Sequence, residues 1–297
     1  MSRLLKHEAF FKSPTSGLFI PTQSLGAEIL TNGDFSNGIT GWTLAANSGS
    51  DPTITATAAD GSAGTGGAKY FASAATFVQL RQSVGSVGTY YQSEAECTAY
   101  TAGTVDLLWQ GTTPFLTSSV TGLGVVRGIS RCSAAEVRPQ AGGAAINLVL
   151  NYVSVKPITL NAERTAASAD MDIRFLYTLP ASPVKGDQLW LLGRISSFSS
   201  GNYWLVLLEY TGSQWNVTLY SVASHTRTSQ KSAANVGLTN GLRFVASGTT
   251  IRMYTTADSG ANWTQRDTDL TSSTYQTATG YNAFAGSEVT LGALSAA

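Results

Sequence analysis

The chain is built from short runs in which apolar and polar residues alternate, separated by turn-rich segments. Alternation puts every second side chain on the same face of a strand, so each run predicts a strand with one buried face. We find no window with the i, i+3, i+4, i+7 apolar spacing of an amphipathic helix. The predicted strands cover residues 77–84, 90–100, 105–110, 125–134 and 146–158, then 171–179, 187–196, 203–210, 215–222, 241–248, 250–257 and 287–295.

The predicted strands fall into two series. Their connections are rich in Gly, Ser, Thr and Asn, which is typical of antiparallel sandwiches and barrels and not of a parallel α/β sheet. A polar segment without periodicity, residues 161–170, separates the last strand of the first series from a new strand that begins near Met171. The sequence therefore predicts an all-β protein with two tandem antiparallel β-sandwich domains, residues 27–158 and 159–297.

Residues 1–26 form a separate N-terminal segment, here called the arm. The arm is too apolar for a typical disordered tail and too short to form a core of its own. Its apolar groups must be buried against something, either the chain's own domains or a partner chain. If the arm anchors the protein to a partner, the expected contact residues are Leu4, Leu5, Phe10, Phe11, Phe19 and Ile20.

The first series opens with "LTNGDFSNGITGWT" (residues 30–43), which resembles the start of carbohydrate-binding modules with a galactose-binding-type jelly roll. Glycines supply positive φ in such tight turns, and Phe35 and Trp42 are suited to closing one end of a sandwich. The resemblance implies a jelly roll over residues 27–158. It also implies sugar contacts by aromatic residues, for which the strands offer Tyr90, Tyr91, Tyr100 and Trp109, although core positions are the commoner role of such residues.

Members of that family often hold a structural calcium ion through carboxylates near the first turn and in the last strand. Asp34 matches the first position, but Asn151 and Tyr152 stand where acidic residues are expected, so we predict no cofactor and leave structural calcium as a doubtful alternative. The second series is similar to concanavalin A-like and laminin G-like jelly rolls, in the hairpin "IRMYTTADSGANW" (residues 251–263). This resemblance gives Trp263 and Tyr275 as candidate glycan contacts.

Composition narrows the function further. The formal net charge is zero and only 12% of the residues are charged, which argues against a nucleic-acid-binding protein. No apolar run approaches the length of a membrane span, and the N-terminus does not read as a secretory signal. Cys97 and Cys132 both lie on predicted strands; free buried thiols are favoured, but a disulfide between them stays open.

Catalytic signatures are weak. The two histidines, His7 and His225, lie in the arm and in a Ser/Thr-rich loop, which disfavours a His-based triad or zinc site. A glycosidase would need two carboxylates, and the candidate pairs are Glu94 with Glu96 and Asp170 with Asp172. Solvated sheet faces explain both pairs more simply, so we expect that the protein is not an enzyme.

Two sandwiches of surface-binding kinds, an apolar arm and the lack of a recognisable secretory signal together favour a bacteriophage virion protein, assembled in the host cytoplasm and exposed on the virion surface. The expected role is a head decoration or fibre protein that contacts capsid or tail proteins of the same virion through its arm. We expect a homo-oligomer, a trimer or dimer, because such arms work best through multivalent attachment. The alternative is a glycan-binding tail or receptor-binding protein that recognises host-surface glycans.

Overall fold

The computed structural model describes residues 23–46, 53–56, 66–74, 77–110, 119–141, 144–160, 163–286 and 290–296. Within these ranges there is no helix, and the registered strand pairs are antiparallel, so the predicted all-β class is confirmed. The described residues divide into two compact units. The first unit comprises residues 24–159 and 184–187, and the second comprises residues 23, 160–183 and 188–297.

The arm residues proposed as anchors lie outside the described part of the chain: Leu4, Leu5, Phe10, Phe11, Phe19 and Ile20. The first described residue is Gln23. Its side-chain Oε1 accepts a hydrogen bond from the backbone nitrogen of Ala285 at 2.8 Å, within the second unit.

The first unit contains two antiparallel sheets. Its strands are β1 (Gln23–Leu25), β2 (Thr43–Ala46), β3 (Thr53–Ala56), β4 (Ala68–Ala72), β5 (Val78–Ser83), β6 (Tyr90–Ala102), β7 (Val105–Trp109), β8 (Gly124–Arg131), β9 (Glu136–Ala141) and β10 (Ile146–Leu160). The first residue of β1 and the last residue of β10 are grouped with the second unit. One sheet has the order β3-β4-β10-β6-β8, with β1 paired to β10, and the other has the order β2-β5-β9-β7. The non-sequential neighbours mean that the chain crosses repeatedly between the two sheets.

The loop from residue 31 to 42 is organised by the side chain of Asn32. The Asn32 Nδ2 donates to the carbonyl oxygens of Gly38 and Thr40 at 2.9 and 3.1 Å, and its Oδ1 accepts from the Asn37 nitrogen at 3.0 Å. Asn32 has a φ of 53°, a left-handed conformation that asparagine tolerates better than most residues. The sequence motif therefore encodes a compact loop stabilised by one amide.

The loop delivers two aromatic rings to the core of the first unit. Phe35 is fully buried and Trp42 is nearly so, and their ring centroids lie 5.8 Å apart. The Trp42 Nε1 donates to the Asn32 carbonyl oxygen at 3.1 Å, so the indole is satisfied where it is buried. Phe35 and Trp42 are thus part of the core of the first unit.

Cys97 and Cys132 are both buried and both free thiols. Each sulfur donates locally, Cys97 to the Ala99 oxygen at 3.3 Å and Cys132 to the Ala134 oxygen at 3.1 Å. Burial raises the pKa of both thiols, which keeps them protonated and poorly nucleophilic. They contribute to the core of the first unit and are not joined by a disulfide.

The second unit also contains two antiparallel sheets. Its strands are β11 (Arg164–Thr165), β12 (Met171–Thr178), β13 (Gln188–Ser197), β14 (Asn202–Tyr210), β15 (Trp215–Ala223), β16 (Thr226–Ala233), β17 (Gly241–Ser247), β18 (Thr250–Thr256), β19 (Thr264–Gln265), β20 (Leu270–Thr271), β21 (Gly280–Ala285) and β22 (Thr290–Ala296). One sheet has the order β11-β21-β13-β14-β15-β16. The other has the order β19-β18-β17-β12-β22, with β20 paired to β18.

The sheet centred on β13 and β14 is apolar on both faces. Leu189, Leu191 and Val206 point into the core between the two sheets of the unit. Their neighbours alternate to the opposite face and are also buried, namely Trp190, Leu192, Leu205, Leu207 and Phe284. On that face the rings of Trp190 and Phe284 lie 5.0 Å apart. We call these five side chains the second apolar layer.

Candidate ligand-binding site

The first unit carries a polar pocket of about 490 Å³ on strands β2, β5 and β9 and the loop before β2. On β5, Leu80 is buried in the core, so the alternating residues Arg81 and Ser83 lie on the outer side of the sheet. The lining residues whose side chains carry hydrogen-bond donors or acceptors are Thr31, Thr43, Arg81, Gln82, Ser83 and Glu136. Its size is in the range of small-molecule sites, roughly 300–1,000 Å³.

The side chain of Gln79, two residues earlier on β5, holds the guanidinium of Arg81 in place. The Gln79 side chain is fully buried. With its amide assigned so that donors face acceptors, its Oε1 accepts from the Arg81 Nε and Nη2, and its Nε2 donates to the Gln140 Oε1 at 3.0 Å. Two amides therefore fix one edge of the guanidinium. The Arg81 Nη1 is the group that remains for a ligand.

Glu136, the first residue of β9, also lines the pocket, and its charge is neutralised locally. Its Oε1 accepts a hydrogen bond from the Arg138 Nε, two residues along the same strand. The register of β5 with β9 pairs Gln79 with Gln140 and Ser83 with Glu136 without a shift, which places Arg81 opposite Arg138. The pocket therefore has two arginines and one carboxylate around it.

The side of the pocket next to the loop of residues 31–42 is held by hydrogen bonds. The Gln82 side chain makes two hydrogen bonds to the backbone of Thr31: its Oε1 accepts from the nitrogen at 2.7 Å, and its Nε2 donates to the oxygen at 2.9 Å. These two bonds resemble the backbone hydrogen bonds between neighbouring strands. They position the exposed Thr31 at the pocket. The arrangement can bind a small polar ligand through one cation and several hydroxyl groups.

The glycan contacts predicted in the second unit, Trp263 and Tyr275, do not lie together. Trp263 is half-buried beside β17, where its ring packs over Gly241 and beside Arg243. Tyr275 donates its hydroxyl to the Val222 oxygen on β15 at 2.6 Å, in the other sheet. Trp263 and Tyr275 are thus associated with different sheets, and the hydroxyl of Tyr275 already has a partner inside the protein.

The aromatic residues considered on the first series of strands are mostly core residues. Tyr90, Tyr91 and Trp109 are buried, and Tyr91 packs on Trp109 with ring centroids 5.1 Å apart. Tyr100 is 37% exposed. It donates its hydroxyl to the Gly103 oxygen at 3.1 Å. None of these four residues is among the residues that line the pocket around Arg81.

The first candidate carboxylate pair is engaged in contacts within the first unit. Glu94 accepts hydrogen bonds from Arg127 and from the Tyr152 hydroxyl. Glu96 accepts a hydrogen bond from the Asn151 Nδ2 at 2.7 Å. Burial and the neighbouring Glu94 raise the pKa of Tyr152, so its hydroxyl acts as a donor at neutral pH.

The second candidate pair is held by arginines. Asp172 lies between Arg174 and Arg243, with the Arg174 Nη2 at 2.7 Å and the Arg243 Nε also at 2.7 Å. Burial opposes ionisation of Asp172, but these hydrogen bonds and charges outweigh it and lower the pKa of the carboxyl. Asp170 accepts from the Gly248 nitrogen at 2.7 Å and lies 3.4 Å from the Arg194 Nη2.

Across the described residues no group of three or more His, Cys, Asp and Glu side chains is arranged to hold a metal ion. At the position that the resemblance gave to calcium, the Asp34 Oδ1 instead accepts from the nitrogen and hydroxyl of Ser36, at 3.2 and 2.9 Å. No described helix is long and apolar enough to cross a membrane.

Comparisons with known proteins give one structural likeness. No protein-family model matches the chain, and no curated protein matches it. A point mutant of the GH43 protein BlXynB from Bacillus licheniformis matches with a TM-score of 0.32 and 12% identity, over 84% of this chain and 73% of that one.

That match corrects one expectation. The matched protein belongs to a glycoside hydrolase family, which contradicts the prediction that the chain is not an enzyme, and we withdraw that prediction. A TM-score of 0.32 gives no basis for assigning a fold family, a substrate or catalytic residues to this chain.

The pocket around Arg81 is missed by sequence reasoning. Its main side chains come from the opening loop, β5 and β9, so they are far apart along the chain. The strand β9 itself is not predicted, because Pro139 stands within its alternating residues and proline argues against a strand. The available signal was the alternation of polar residues in "VQLRQS", which places Gln79, Arg81 and Ser83 on one face.

Proposed function

We propose that the protein is a structural component of a bacteriophage virion, a head decoration or fibre protein bound to the capsid lattice through its arm. The observation that supports this proposal is the division of the described chain into two compact β units, each with its own apolar core. Two such units following an apolar arm suit a protein that is attached at one end and projects its folded parts outward.

The jelly-roll arrangement of each unit and the extended arm are part of the same proposal. Each unit has two antiparallel sheets with apolar side chains between them, and the strand orders contain the crossovers that jelly rolls have. We interpret the units as tandem jelly rolls and the arm as an extended anchor. A trimer or dimer would multiply the contacts of the arm with capsid or tail proteins.

The direct test is cryo-electron microscopy of virions from the source of the protein. The expected result is density for the chain on the particle surface, with the arm buried in the lattice of capsid or tail subunits. A source whose purified particles lack the protein would overturn the virion role.

Truncation tests the anchor separately. Removing residues 1–20 keeps Gln23, whose side chain contacts Ala285. The truncated protein is expected to melt at the temperature of the full chain and to lose attachment to particles. A large fall in the melting temperature would show that the arm is part of the fold.

A second candidate function is glycan binding by a tail or receptor-binding protein, and the pocket around Arg81 favours it. The pocket offers hydroxyl, amide and charged groups to a polar ligand. A glycan array with the purified full chain tests this function. Binding lost in Arg81→Gln would support the pocket, and binding lost in Trp263→Ala or Tyr275→Ala would support the second unit instead.

A further inference from the structure

We propose that the pocket around Arg81 binds the carboxylate of an acidic sugar residue, such as a uronic acid within a glycan. This inference rests on the glycan-binding function and names the class of sugar. It follows from the charges on the outer side of β5 and β9, from the fixed orientation of Arg81 and from the hydroxyl groups around it.

The outer face of β5 and β9 carries more positive than negative charge around the pocket, which favours an anionic ligand. Arg81 and Arg138 occupy opposing positions on neighbouring antiparallel strands. Like charges placed directly opposite each other destabilise a sheet. Glu136 neutralises Arg138, whereas no carboxylate among the described residues forms an ion pair with Arg81. A ligand carboxylate at Arg81 would relieve this imbalance.

Arg81 is already oriented for such a contact. The buried amide of Gln79 holds its Nε and Nη2, and Gln140 in turn holds Gln79. Little side-chain freedom is therefore lost when an anion binds at the remaining Nη1. The Nη1 carries two N–H donors, so it can form charge-assisted hydrogen bonds to a carboxylate.

Hydroxyl and carboxylate groups around Arg81 suit the rest of a sugar. Thr31, Thr43 and Ser83 bring hydroxyls to the pocket wall. The Glu136 Oε2 has no hydrogen-bond partner in the described part of the chain, and it can accept from a sugar hydroxyl while Arg138 holds the Oε1. A pocket of about 490 Å³ accommodates a sugar residue with surrounding water.

Among the described residues that line this pocket, none is aromatic. The binding energy must then come from charge and hydrogen bonds and not from stacking, which predicts two properties. Neutral sugars should bind much more weakly than uronic acids. Binding should also weaken as salt is added, because an open ionic contact is screened.

The experiment is a calorimetric or NMR titration of the full chain with D-galacturonate and D-glucuronate, with methyl galactoside and sodium acetate as comparison ligands. The variant Arg81→Gln removes the cation, and Lys156→Gln removes a positive charge from β10, in the other sheet of the same unit. Thermal melting confirms that both variants fold.

The expected result is binding of at least one uronate, weakened about tenfold to a hundredfold in Arg81→Gln, as for loss of a charge-assisted hydrogen bond. The variant Lys156→Gln should match the wild type, and methyl galactoside and acetate should each bind at least about tenfold more weakly than the uronate.

Four results would overturn the inference, and they separate it from the broader function. Equal uronate binding by wild type and folded Arg81→Gln would exclude this pocket as the site. Acetate binding as tight as uronate binding would show a site for any small carboxylate. Array binding to neutral glycans without binding of uronates would retain glycan binding and reject the acidic sugar, whereas no binding to any glycan would reject both.

Discussion

The guanidinium of Arg194 is fully buried in the second unit and connects three segments of it. Its Nε donates to the Ala169 oxygen at 2.9 Å, and its Nη2 donates to the Gly248 oxygen at 2.8 Å. Asp170 lies 3.4 Å away, but its side chain is 60% exposed and is a weak partner. Arg194 therefore ties β13 to the segment before β12 and to the turn between β17 and β18. We predict that Arg194→Met destabilises the second unit.

The expected loss follows from these contacts. Each hydrogen bond from a charged donor contributes about 1.5–3 kcal/mol, so losing two costs about 3–6 kcal/mol. The Nη1 is buried without a hydrogen-bond partner among the described residues. Removing that unsatisfied donor restores about 1–3 kcal/mol. The central values of these two ranges leave a net destabilisation of about 2–3 kcal/mol, which lowers the Tm of a unit of this size by about 5–15 °C.

Urea unfolding followed by hydrogen exchange and mass spectrometry measures this loss for peptides of each unit separately. The control is Arg252→Met, which removes an exposed arginine paired with Asp269 at 2.6 Å and should cost less than about 1 kcal/mol. If Arg194→Met unfolds within about 0.5 kcal/mol of the wild type, the cost of burying the charge cancels its hydrogen bonds, and our reasoning is refuted.

Two further predictions concern the second unit. Asp172→Asn should destabilise it by about 1–3 kcal/mol at pH 7, as loss of charge-assisted bonds does. Because the folded pKa of Asp172 is lowered, its contribution is present above the unfolded pKa and is lost as the pH falls through the folded value, so the gap between variant and wild type in urea unfolding should close in acid. Gly193→Ala would place a methyl group 2.4 Å from the ring of Phe244 and should cost about 1–3 kcal/mol by overpacking; an unchanged Tm would contradict this.

The sequence predicts strands with one buried and one polar face well. The run 171–179 becomes β12 and the run 215–222 becomes β15, with ends that differ by one residue at most. Alternation is decisive there. The strands that escape prediction do so for identifiable reasons.

Three missed strands illustrate those reasons. The strand β16, "TRTSQKSA", is polar on both faces because it lies at the edge of its sheet. The strand β21, "GYNAFA", is buried on both faces and too short to show a period. In β9, Pro139 lacks a backbone donor, yet the strand is retained between β5 and β7. Periodicity detects a strand with two different faces, which β16 and β21 do not provide. The strand β9 does alternate, but Pro139 at its centre argues against a strand.

The candidate site was less predictable than the fold. A pocket formed by residues from separate strands and a loop depends on which strands become neighbours, and local pattern does not encode that pairing. The aromatic residues chosen from the resemblance were assessed one by one, whereas Arg81 acquires its role from Gln79 below it and Arg138 across from it.

The second apolar layer has a consequence for how this chain avoids aggregation. The strands β13 and β14 carry "LWLLG" and "YWLVLLEY", long apolar β-forming segments that would readily pair with another chain. Both lie in the interior of their sheet. Its edges are β11, two residues long, and β16, which presents Arg227 and Lys231 among hydroxyl and amide side chains. Short and charged edges discourage strand addition. An oligomer of this protein should therefore form through surfaces other than the edges of this sheet.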